Sequence, residues 1–98
     1  MDSEVARNEY FALRDATTRR RSRAENIADA LVAAKLRLAE LERAGATGQR
    51  TELQRRVERL TRLYAKAAAA VERCARAQHE AWVRYHDGYL DYLTGKGG

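Results

Sequence analysis

The residues best equipped for chemistry sit close together in the last third of the sequence: Cys74, His79, Glu80, His86 and Asp87. Histidine and cysteine beside carboxylates invite a metal site. Spacing argues against one. On a helix His79 and His86 share a face but stand two turns apart, about 10 Å, whereas a zinc ion holds each ligand at about 2.0–2.3 Å. Neither Glu-x-x-His nor His-x-x-x-His occurs, so a metal would need ligands from another subunit. Cys74 falls among alanines at an apolar helix position and reads as a small buried hydrophobe rather than a nucleophile. As the lone cysteine it cannot form an internal disulfide. Before the C-terminal tail the glycines are Gly45, Gly48 and Gly88, and they make no phosphate-cradling loop. With no general base, oxyanion hole or nucleophile in place, the chain is expected not to be an enzyme and to carry no cofactor and no metal.

A second chemistry is anion binding. The stretch TTRRRSR puts Arg19, Arg20, Arg21 and Arg23 into five residues, and the chain carries a formal charge of +5. Arginine suits forked recognition of phosphate and carboxylate. Arg19, Arg21 and Arg23 form one candidate patch for an anion or nucleic acid. Arg55, Arg59 and Arg62 form another, spaced to share one helix face. Glu25, Asp29, Glu52, Glu58 and Glu72 lie at helical or cross-chain spacing from these arginines and are expected to neutralise much of the field. No aromatic residue interleaves with the arginines to stack on bases. Binding of the phosphate backbone without sequence readout is therefore the alternative reading of function. A membrane-surface role is disfavoured because no apolar stripe adjoins the arginine face.

The third chemistry is recognition by aromatic rings. Six of the seven aromatics, Tyr10, Phe11, Trp82, Tyr85, Tyr89 and Tyr92, lie towards the two ends of the sequence. A fold that brings the ends together would gather more rings than two helices can cover. Phe11, Trp82, Tyr85, Tyr89 and Tyr92 are the candidate partner interface, since tryptophan and tyrosine are enriched in interface cores.

The elements that must position these residues are helices. The sequence has 98 residues, no proline, and alanine, leucine, arginine and glutamate in abundance; these are strong helix formers. Small or apolar residues recur at Ala6, Tyr10, Leu13, Thr17, Ala24, Ile27, Leu31, Ala34, Leu38 and Leu41, alternating steps of four and three as in a coiled coil. Only Arg20 interrupts them. A second run follows the same rule through Leu53, Val57, Leu60, Tyr64, Ala67, Val71, Cys74, Gln78, Ala81, Tyr85 and Gly88. Between the two, Gly45 supplies a left-handed helix stop, and TELQ from Thr51 to Gln54 reads as a capping box opening the next helix.

The expected fold is all-α: a single domain over 1–98, folded as a long antiparallel helical hairpin that pairs into a four-helix bundle. Helix 1 is placed at about 3–43, the loop at 44–50, helix 2 at about 51–93 and a frayed tail at 94–98. The short loop forces antiparallel helices, so positions whose numbers sum to about 93 face one another. Arg20 then falls opposite Glu72 and Arg73, and Glu72 is its expected counterion. An alternative starts from SRAE, Ser22 to Glu25, which is also a capping box; it breaks helix 1 near residues 17–22.

Forty-five per cent of residues are hydrophobic, with alanine prominent among them, and a core so poor in large side chains needs a second copy or a partner. No apolar run resembles a signal peptide or membrane span, so a cytoplasmic protein that does not engage membrane is expected. The turn AGATG and the residues four beyond Tyr85 and Tyr89 do not carry the Trp-x-Gly and Tyr-x-x-x-Asp/Glu motifs of the helical-hairpin partners of type VII secretion systems. The functional expectation is a protein–protein interaction module: a small adaptor, assembly subunit or inhibitor that partners itself as a homodimer and docks on a larger protein.

Overall fold

The computed structural model describes residues 2–46 and 48–95, with the side chains of Asp2, Ser3, Tyr89, Asp91 and Tyr92 outside the described residues. Among the described residues there are two helices, α1 (Asp2–Arg43) and α2 (Arg50–Thr94), and no strand. The turn between them makes a helical hairpin, which divides into two packing units. One joins Met1–Arg20 to Ala70–Gly98, and the other is Arg21–Ala69.

The turn belongs to the second unit, and its geometry follows from one glycine. Gly45 has φ 67, a conformation that costs an L-residue about 1 kcal/mol or more and glycine almost nothing. With Gly45 left-handed, the Ala46 N–H donates to the Leu41 carbonyl (3.0 Å) and the Gly45 N–H to the Glu42 carbonyl (3.2 Å). These are the two bonds of a Schellman cap, and they satisfy carbonyls that a helix end leaves unpaired. The restart of the chain departs from the capping-box expectation. The Leu53 N–H donates to the Gln49 carbonyl at 3.1 Å, so α2 begins at Arg50 and Thr51 lies inside its first turn rather than capping it. Starting there lets Arg50 reach Glu42 across the turn at 3.5 Å.

Register can be read in each unit by itself. In the second unit the Glu42–Arg50 pair obeys the facing rule of numbers summing to about 93. In the first, Glu9 and Arg84 meet at 3.0 Å and obey the same rule. Burial follows that register. Ala6, Thr17 and Ala81 are buried in the first unit, and Ala24, Ala34 and Leu41 in the second. Ile27, Leu31, Leu38, Leu53, Val57 and Leu60 are only half-buried. Four of the six buried positions among the described residues are alanines, each bringing little apolar area at about 25 cal/mol per Å². The closest packing is thus between small residues, with larger ones left partly open to solvent.

Two expectations for α1 are corrected. The helix runs unbroken through residues 17–22, because neither threonine acts as a cap. Thr17 Oγ1 donates back to the Leu13 carbonyl (2.7 Å) and Thr18 Oγ1 to the Arg14 carbonyl (3.0 Å), a bond that threonine makes inside a helix. Thr17 is also nearly fully buried, which anchors the stretch against α2 of its unit. Nor is Arg20 a matched charge in the seam: it is exposed, and Glu72 is absent from the ion pairs of the described residues. Between Thr17 and Ala24 the seam passes between positions 20 and 21, so both arginine stems can turn outwards and keep their heads in water. Tyr64 is the other seam position left exposed.

Candidate partner interface

The aromatic residues of the first unit divide by environment. Phe11 on α1 is half-buried. Its ring meets Tyr10 edge to face with centroids 5.3 Å apart, and the guanidinium groups of Arg14 and Arg7 lie over it at 4.8 Å and 5.8 Å. Arg7 and Arg14 stand four before and three after Phe11, one turn to each side, so helix geometry alone delivers both cations to the ring. Phe11 is thereby satisfied within its own helix. Tyr85 is half-buried at a seam position. The side chains of Tyr89 and Tyr92 lie outside the described residues.

Trp82 differs from these: it is 42% exposed and stands between two imidazoles. His86 stacks on it at 4.9 Å and 17°, and His79 at 6.2 Å and 15°. Residues three before and four after a helical position flank it on the same face, so the three rings form a ladder along the outside of α2. The two histidines that raised a metal question are separated by an indole. Among the described residues no three histidine, cysteine or carboxylate side chains are grouped to hold an ion. Cys74 is half-buried. The sequence signal for the ladder is the His-x-x-Trp-x-x-x-His spacing, which a metal-ligand search passes over because it looks for closer histidines.

Exposed apolar side chains accompany the ladder. Val83, Leu90 and Leu93 are 37%, 44% and 59% exposed. Together with His79, Trp82 and His86 they occupy a sector of about 100° of the α2 circumference. The seam residues Cys74, Gln78, Ala81 and Tyr85 occupy the adjoining sector, with Gln78 about 40° from Trp82. This part of α2 therefore carries one broad arc, of which one edge is turned to α1 and the rest, from Trp82 round to Val83, is turned to solvent.

The six arginines of the candidate anion site are all exposed, and they fall in different units. Arg19 belongs to the first; Arg21, Arg23, Arg55, Arg59 and Arg62 belong to the second. The expected neutralising contacts with Glu25, Asp29, Glu52, Glu58 and Glu72 do not form. Among the described residues the ion pairs are Arg37–Glu40, Glu42–Arg50 and Glu9–Arg84. Helix spacing puts the intended carboxylates near enough, but long exposed side chains gain too little from pairing in water to be held in place. Within the second unit an open cleft at the start of α2 is lined by Arg37, Arg56 and Arg59 with Gly48, Gln49, Glu52 and Leu53.

No family model, curated protein or solved structure matches the chain. Among the described residues no helix is long and apolar enough to cross a membrane.

Proposed function

We propose that this chain is a non-enzymatic protein–protein interaction module, acting in the cytoplasm as a small adaptor, assembly subunit or inhibitor of a larger complex. One observation carries the reading: the open apolar face of α2 built around Trp82. An apolar arc wider than the strip that α1 covers leaves large side chains open to water, which marks a contact yet to be made. Tryptophan is also the residue on which binding energy most often concentrates. The alanine-rich core supports the same reading, because packing within the chain leaves the larger aliphatic side chains half-open. Pairing of two hairpins into a four-helix bundle would cover them, so the partners proposed are a second copy and a larger protein.

The test is affinity capture from the native host by the intact chain, by Trp82→Ala and by Trp82→Ala combined with Tyr89→Ala, with and without nuclease. A protein retained after nuclease treatment and lost with the substitutions supports the module. Unchanged capture and an unchanged oligomeric state in the double variant would overturn it.

The second reading is association with the phosphate backbone of nucleic acid. It is favoured by the exposed Arg55, Arg59 and Arg62 face and by the arginine-lined cleft at the start of α2. It requires an affinity that falls steeply with salt, each neutralised phosphate contributing a slope of about −0.9 in log K against log salt on duplex DNA. Binding indifferent to ionic strength removes it.

A further inference from the structure

The open face of α2 has a charge pattern that says what fits on it. Arg76 and Asp87 are both exposed and lie on the same flank of the stripe formed by His79, Trp82, Val83, His86, Leu90 and Leu93. Neither takes part in an ion pair among the described residues. When two identical helices pack antiparallel about a two-fold axis, each flank meets the same flank of its partner with the sequence reversed. An axis passing close to Trp82 sets Arg76 of one copy opposite Asp87 of the other, and the symmetry makes that pair twice. The same register brings His79 and His86 of opposite copies to about the same level and turns the two Trp82 rings towards one another.

We propose that a second copy of this chain occupies the outer stripe of α2, antiparallel and two-fold symmetric about Trp82, with Arg76 of each copy paired to Asp87 of the other. The proposal rests on the interaction-module reading and identifies one partner and its register. It also changes which residues matter. Val83, Leu90, Leu93, Arg76 and Asp87 belong to the contact, while Phe11 is covered by Arg7 and Arg14 of its own helix and Tyr85 is half-buried at the seam.

The test is sedimentation velocity of the full chain over a wide concentration range, followed by charge exchange. The expected result is a dimer whose dissociation constant rises at least about tenfold in Arg76→Asp and in Asp87→Arg and returns to within about threefold of the parent in the double variant. Circular dichroism should be unchanged throughout, since both positions are exposed. In a Cys74→Ser background, Val83→Cys should cross-link with its own copy under mild oxidation, whereas Val32→Cys should not. The one tryptophan of the chain should shift its emission to shorter wavelength as the dimer forms.

A chain that stays monomeric at every concentration overturns the proposal. So does a dimer in which the double variant fails to recover, or one that survives Val83→Asp but is dissociated by Val32→Asp with Leu36→Asp. The module reading is judged separately. If the chain is monomeric yet loses its captured protein on Trp82→Ala, the face is an interface and only its occupant was wrongly assigned.

Discussion

Gly45 shows how much a single residue settles here and how directly it can be tested. A methyl group added at Gly45 would meet no atom within 4 Å, and the same holds at Gly48, so substitution at either site changes backbone freedom alone. Gly45 has φ 67, and Gly45→Ala should cost about 1 kcal/mol, read as a lower midpoint in urea denaturation. Gly48 has no such requirement, and Gly48→Ala should be neutral or stabilise by up to about 1 kcal/mol through a less flexible unfolded chain. Equal losses at the two positions would contradict the cap assignment. The Gly45 cap was legible in the sequence because only glycine is at ease in that conformation. The Thr51 cap was misread because TELQ is satisfied as well inside a first turn as before one. The backbone shows which of the two holds, since the Leu53 N–H donates to the Gln49 carbonyl and puts Thr51 inside the helix.

Between elements, small residues decide how closely the helices approach. Ala81 is completely buried in the first unit, with no room for a longer side chain. Ala81→Leu should therefore destabilise by about 1–3 kcal/mol through overpacking, despite adding apolar surface; thermal denaturation would show it as a lower midpoint. Glu9 and Arg84 mark the same contact from outside at 3.0 Å, but each side chain is about half exposed. Glu9→Gln should cost at most about 0.5 kcal/mol, because exposed pairs are screened by water and salt. That ion pair reports register more than it supplies stability. Antiparallel pairing and its register were legible from the alternating steps of three and four and the short turn. The course of the seam past Arg20 was not, because a heptad count treats positions 20 and 21 as a choice of one, whereas the helix carries both to the edge.

For the whole molecule, the quantity to watch is stability against concentration. A chain whose buried residues, among those described, are mainly alanine has little apolar area with which to offset the entropy of ordering helices of 42 and 45 residues. Covering the open α2 face adds the missing burial only when another chain is present. Raising the protein concentration a hundredfold should lift Tm by roughly 5–10 °C, measured by scanning calorimetry at matched scan rates. A concentration-independent Tm would mean that the hairpin is sufficient by itself and that its open face awaits an unlike partner.

Composition and periodicity were enough to determine two helices, their antiparallel sense and the capped turn between them. Each is a local consequence of side-chain type and spacing along one chain. The tertiary structure decided which of the candidate interface residues are open. Phe11, Trp82 and Tyr85 were equivalent as aromatic types, yet Phe11 lies under Arg7 and Arg14, Tyr85 turns to the seam, and Trp82 stands in solvent between two imidazoles. That difference is one of angle around a helix packed against another. The angle follows from where the seam runs, which no residue carries in its own chemistry.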